Sequence, residues 1–255
     1  MATAETFSLE GRRALVTGAS RGLGQAIALA FADAGADVVC AGTTADGCAD
    51  AARQVRERGR TAWTVGADLA DRAALRRLLD RVDNEAGRID ILVNNAGTIR
   101  RHPAASFPDD DWDTVLDTNL DAVFLLCRHF GSAMIERGRG KIINIASLLS
   151  FSGGITVPAY AASKHAVAGL TKALANEWAG RNLQVNAIAP GYFRTDNTQA
   201  LQDDPGRATA ISDRIPAGRW GEPADLGGAA VFLASAASDY VNGHVLVVDG
   251  GWMAR

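Results

Sequence analysis

The three cysteines of this chain, Cys40, Cys48 and Cys127, form no Cys-x-x-Cys pair, and its four histidines show no His-Glu-x-x-His or other ligand spacing. A disulfide scaffold and a metal centre are therefore not expected; the thiols read as ordinary small buried side chains. No apolar run approaches the roughly 20 residues needed to span a membrane. The opening residues, MATAETFSLEGRR, lack the charged-then-apolar pattern of a signal peptide, so a cytoplasmic protein is expected. Charge of one sign is also missing: the formal net charge is −3, which invites neither nucleic acid nor an anionic membrane. No repeat or low-complexity tract is present. What remains is a chain of 255 residues, 47% hydrophobic, able to bury one large core as a single domain spanning residues 1–255.

Seven strand-like runs alternate with helical segments along that length, which argues for a parallel sheet with helices on both faces. The first run, Arg13 to Thr17, leads into Thr17-Gly18-Ala19-Ser20-Arg21-Gly22-Leu23-Gly24 and then into an Ala-rich helical segment. Strand, glycine turn and helix in that order form a phosphate-binding context. Gly18 permits the tight turn, Gly22 lets a phosphate approach the backbone, and Gly24 lets helix pack on strand. The free N–H groups of the new helix would face a pyrophosphate. A second strand ends at Gly42-Thr43-Thr44, where an acid would accept from a ribose 2′-hydroxyl and favour NAD. With no carboxylate there, and with Arg21 near enough in sequence to attract a 2′-phosphate, these residues lean toward NADP.

The third strand ends at Asp68-Leu69; Asp68 either contacts adenine or caps the following helix. A fourth strand delivers Asn94-Asn95-Ala96-Gly97, whose small residues and amides suit a backbone passing close beneath a nucleotide while side chains tie neighbouring strands together. The loop behind it holds Arg100 and Arg101, adjacent cations at the expected mouth that would pair with a substrate carboxylate or stand as solvated surface charge. Residues 109–137 carry a helical stripe that includes Trp112, Val115, Phe124 and Met134, predicting one long buried helix. On or near its inward side Asn119 either bonds within the core or holds a water near the lysine described next.

Twelve residues separate Ser147 from Tyr160, and Lys164 follows the tyrosine by four. Positions four apart on a helix share a face, so Lys164 is expected beneath the tyrosine ring. A phenol titrates near pH ~10, and a neighbouring cation favours its anion, which would make Tyr160 a base able to take a proton from a substrate hydroxyl. Ser147 closes an apolar run, placing its hydroxyl at the carboxyl end of a strand, where open α/β sheets bind ligands. After a sixth strand ending at Pro190-Gly191, the polar segment of about 192–220 is long enough to form a mobile cover.

Together, Thr17-GASRGLG, Asn94-NAG, Asn119, Ser147, Tyr160-AASK and Pro190-Gly191 resemble the short-chain dehydrogenase/reductase family over essentially the whole chain. The resemblance implies a single-domain Rossmann fold, a seven-stranded parallel sheet in the order 3-2-1-4-5-6-7, NAD or NADP as cofactor, and a homotetramer. It implies a tetrad: Ser147 holding the substrate oxygen, Tyr160 as acid/base, Lys164 lowering the tyrosine pKa and binding the nicotinamide ribose, and Asn119 anchoring a water. It places Thr195 at the nicotinamide carboxamide and Asp68 at the adenine. A narrower likeness, through Ile99-RR, Asp111-WD, Asn197-TQ, Arg214-IPAGRWG and Asp249-GGWMAR among others, is to the deoxygluconate dehydrogenases of that family, which leans toward NAD. It implies a hydroxy or keto sugar acid as substrate, with Arg100, Arg101, Ser152 and Asn197 as its neighbours. The C-terminal Trp252 to Arg255 is expected to reach toward a neighbouring subunit's site. The competing expectations are a 3-oxoacyl thioester reductase and a regulator that binds a dinucleotide without catalysis.

Overall fold

The computed structural model describes residues 3–255. A short helix, α1 (Thr3–Thr6), precedes β1 (Arg13–Thr17) and α2 (Gly22–Asp33). There follow β2 (Asp37–Gly42), α3 (Ala49–Glu57), β3 (Ala62–Gly66), α4 (Arg72–Arg81) and β4 (Ile91–Asn94). The second half holds α5 (Asp109–Leu116), α6 (Ala122–Arg137), β5 (Gly140–Ile145), α7 (Pro158–Trp178) and β6 (Leu183–Pro190). It closes with α8 (Gln199–Gln202), α9 (Pro205–Arg214), α10 (Gly227–Ala234) and β7 (Val245–Val248).

All seven strands pair in parallel in the order β3-β2-β1-β4-β5-β6-β7. The alternation of side chains along each strand divides the core in two. Ala14, Val16, Val38, Cys40, Ile91, Val93 and Ile143 face α2, α3 and α10, packing with Ile27, Phe31, Val55 and Leu233. Leu15, Val39, Leu92 and Ile142 face the other layer, where Leu75, Leu78, Leu126, Phe130, Met134 and Trp178 cover them. Both faces are buried, which is why the strands read as unbroken apolar runs.

Two expectations change here. Residues 109–137 are not one helix: α5 and α6 are joined by a π-helical turn, Asp117–Asp121, with Asn119 fully buried inside it. Val115 and Met134 are buried, while Trp112 and Phe124 stand 38% and 41% exposed on the outer side of their helices. The helix after β3 is capped by Asp71, whose carboxylate accepts from Ala73 N–H at 2.7 Å; Asp68 is not its cap and instead accepts from Ala70 N–H. Among the described residues no helix is long and apolar enough to cross a membrane.

Candidate active site

A cleft of about 970 Å³ opens along the carboxyl ends of the strands, from Gly42 and Asp68 at one end to Tyr192 and Trp252 at the other. Its floor is the turn between β1 and α2. Gly18 has φ of 65°, and a Cβ at Gly24 would stand 2.1 Å from the Gly18 carbonyl oxygen and 2.4 Å from Asn95 Nδ2, so only glycine lets α2 approach β1 this closely. The twelve-residue helix α2 begins with no side-chain cap, leaving its first N–H groups to whatever occupies the cleft.

Thr17 and Asn95 build this floor more than they line it. The buried Thr17 hydroxyl takes the N–H groups of Asn95 and Ala96, both at 3.0 Å, and Asn95 Nδ2 donates to the Thr17 and Gly18 carbonyls. In the same way Asn94 Nδ2 donates to Asn144 Oδ1, and Asn144 Nδ2 to Thr171 Oγ1, tying β4, β5 and α7 together. Ser20, Arg21, Gly22, Leu23, Gly42, Thr43, Asp68, Leu69, Gly97, Pro190, Gly191 and Thr195 all face the cleft. Arg21 is not turned toward the end of β2: its Nε pairs with Asp196 Oδ2 at 2.6 Å, joining the glycine turn to the segment after β6. The uncapped helix start, the glycine backbone and a strand end without a carboxylate are a donor set that fits a dinucleotide.

At the middle of the cleft Ser147 leaves β5 in extended conformation and caps a short 3-10 turn, Leu148–Ser150. Its oxygen accepts from Leu149 N–H at 3.1 Å, which leaves its own hydrogen to donate outward. Ser150 in turn donates to the Lys164 carbonyl at 2.7 Å, locking this turn to α7. Tyr160 and Lys164 both project from α7, the lysine Nζ lying 5.5 Å from the tyrosine ring centroid. The buried ammonium donates to the Ile145 carbonyl at 2.6 Å. Burial lowers Lys164 to about 8.

The expected downward pull of the lysine on the tyrosine meets an opposing effect. Burial of the phenol raises the Tyr160 pKa, against a lowering hydrogen bond with Ser147 and the positive charge of Arg101. Asn119 bonds within the core. Its two N–H donors go to the Thr98 carbonyl and Ser163 Oγ, and its Oδ1 accepts from Thr98 N–H at 2.8 Å.

The adjacent arginines part company. Arg100 is engaged by Asp111 and Thr98, whereas Arg101 reaches over the mouth to the Asn197 carbonyl at 3.4 Å. Ser152 and Asn197 line the cleft, with the Ser152 hydroxyl donating to the Leu148 carbonyl. Residues 192–220 carry α8 and α9 and arch over the same end. The C-terminus packs on this arch: Trp252 lies 4.6 Å from Tyr192, Arg214 stacks over it at 4.0 Å, and Arg255 donates to the Asp213 carbonyl. Sequence reasoning passed over Leu201, Arg207, Arg214 and Trp252 as members of the cleft. Arg207 carries no local signal, and its place in the cleft follows only from the folding of residues 192–220.

A Rossmann sheet with a dinucleotide-fitting floor and a Ser-Tyr-Lys group at its centre defines the class of pyridine-nucleotide oxidoreductases. The sequence model of the family described as Enoyl-(Acyl carrier protein) reductase matches residues 18–253. The chain belongs to the short-chain dehydrogenase/reductase family. The 2-dehydro-3-deoxy-D-gluconate 5-dehydrogenase of Pseudoalteromonas atlantica is 56% identical over 253 residues, covering 98% of this chain and 99% of that one. The enzyme of the same name from Escherichia coli K12 is 54% identical over 250 residues, covering 98% of each. The crystal structure of a gluconate 5-dehydrogenase from Burkholderia cenocepacia, in complex with NADP and tartrate, superposes with a TM-score of 0.94 at 45% identity, covering 99% of both chains.

Proposed function

We propose that this chain is an NAD(P)-dependent dehydrogenase that interconverts a secondary hydroxyl and a ketone on a sugar acid, of the 2-deoxy-D-gluconate 3-dehydrogenase or 2-dehydro-3-deoxy-D-gluconate 5-dehydrogenase type. The observation that carries this reading is that Ser147, Tyr160 and Arg101 line one cleft, the serine hydrogen-bonded to the phenol: a hydroxyl pair for a carbinol oxygen, and a guanidinium for a carboxylate. The names of the relatives support the sugar acid, and the NADP in the neighbouring structure supports the cofactor class.

The glycine turn, Asp68, Asn95 to Gly97, Pro190, Gly191 and Thr195 would hold the dinucleotide, and Lys164 its nicotinamide ribose. Bound there, the nicotinamide supplies the hydride acceptor or donor. The chain's own residues manage the proton. Ser147 donates to the substrate oxygen and orients it toward Tyr160, which takes the carbinol proton in oxidation and returns it in reduction. Asn119 contributes position, tying the Thr98 backbone to α7 behind Tyr160. Arg101 pairs with the carboxylate, and Ser152 and Asn197 offer polar neighbours to the hydroxyls. On the same reading the enzyme is cytoplasmic and takes no nucleic acid or membrane partner. It assembles as a homotetramer, the exposed Trp112 and Phe124 beside the π-helical turn supplying apolar surface for another copy.

Tyr160→Phe tests this assignment. Removing one hydroxyl leaves the cleft floor intact, so turnover should fall roughly 10²–10⁴-fold while quenching of protein fluorescence by the reduced cofactor reports unchanged binding. Turnover equal to that of the parent overturns the assignment.

A further inference from the structure

The residues on either side of Arg101 are both tied to one carboxylate. Asp111, in the first turn of α5, accepts from Arg100 Nε on Oδ1 at 3.1 Å and meets His102 Nε2 on Oδ2 at 2.8 Å. With Arg100 and His102 held by Asp111, the residue between them, Arg101, lines the cleft and reaches the Asn197 carbonyl at 3.4 Å. The same loop is tied to the opposite lip: the His102 backbone N–H donates to the Thr156 carbonyl at 3.0 Å. Thr156 has φ of 62°, a left-handed conformation rare for a β-branched residue and kept only where its surroundings enforce it. Ile155 and Val157 beside it line the cleft between Ser147 and Tyr160.

We propose that Asp111 is a positioning residue for substrate recognition: its carboxylate clamps Arg100 and His102, aims Arg101 at the substrate carboxylate, and through His102 fixes the loop that carries Thr156. The inference rests on the reading of Arg101 as the carboxylate partner. Both oxygens of Asp111 are engaged, and a charge-assisted bond with Arg100 holds direction better than a neutral one. A surface carboxylate with only a structural task has no reason to act on one substrate charge and spare another substrate.

The experiment compares a sugar acid with its amide, which keeps the carbon skeleton and removes the charge, in Asp111→Ala, Asp111→Asn and Arg101→Gln. Asp111→Ala should raise KM for the acid about tenfold, the effect of losing one well-aimed charged contact, with kcat and the amide's KM nearly unchanged. Asp111→Asn, able to hold one partner, should fall between. Cofactor binding by fluorescence quenching reports that each variant is folded. A raised KM for the acid with Arg101→Gln, beside an unchanged KM with Asp111→Ala, overturns the clamp alone. An equal loss for acid and amide in Asp111→Ala also overturns it, because the effect is then structural. If Arg101→Gln leaves the acid's KM unchanged, the carboxylate reading fails and the role of Asp111 falls with it.

Discussion

At Tyr160 three influences compete. Burial in the cleft opposes the phenolate and is the largest; the Ser147 hydrogen bond and the Arg101 charge favour it. Oxidation needs the tyrosine able to accept a proton, so the rate should climb with pH toward its pKa. Ser147→Ala removes one of the favourable influences. The tyrosine pKa then rises, and the acid limb of kcat/KM for oxidation should move to higher pH, while reduction, which needs the protonated phenol, should hold its rate to higher pH. A pH profile in each direction checks this; a limb that stays in place in Ser147→Ala contradicts it, whatever the drop in absolute rate. The spacing of Ser147, Tyr160 and Lys164 was legible in the chain because a helix places residues four apart on one face. The sign of the shift was not, because desolvation is set by elements far away in sequence. The division of labour between Arg100 and Arg101 was hidden for the same reason: it depends on Asp111, eleven residues from one and ten from the other.

At the scale of elements, the seven strands could be read from their apolar runs, since a sheet buried on both faces demands apolar residues at successive positions. The helix from 109 to 137 could be only half read. A π-helical turn adds a residue without any proline or glycine to announce it, and the stripe on its far side is rotated by about 100°. Residues 192–220 were legible as a polar segment beside the cleft, yet α8 and α9 within it lack a strong apolar face to declare them. The tightest joint lies between β1 and α2. Gly24→Ala would press a methyl against the Gly18 carbonyl and Asn95, with backbone on one side and a doubly bonded amide on the other. Overpacking of this kind costs about 1–3 kcal/mol, a fall of several degrees in Tm, and it should weaken dinucleotide binding by displacing the start of α2. Thermal unfolding and cofactor titration on the same sample check both; a variant with parental Tm and affinity contradicts the account of this joint.

For the whole molecule, the arrangement is a rigid floor, a cationic lip and an arch. The floor, at the strand ends, is held by buried amides and backbone bonds. The lip holds Arg101, and the arch of residues 192–220 is steadied by Trp252 stacked between Tyr192 and Arg214. The C-terminal tail completes the chain's own cleft, a role its sequence does not reveal because the residues it meets lie about forty positions away. The Cys40 and Cys127 thiols, pushed up to about 12 by burial, and Cys48, pushed to about 11, stand outside this chemistry as neutral packing groups. The central claim is that the floor takes a pyridine dinucleotide and the lip takes a sugar acid. It is tested most directly by following the near-ultraviolet absorbance of reduced nicotinamide with purified protein and 2-deoxy-D-gluconate, NAD and NADP in separate cuvettes. The account predicts reduction of cofactor that depends on the sugar acid, and the ratio of the two rates reports what Gly42 and Arg21 select. No reduction of either cofactor, with 3-oxoacyl thioesters oxidising the reduced form instead, would contradict it.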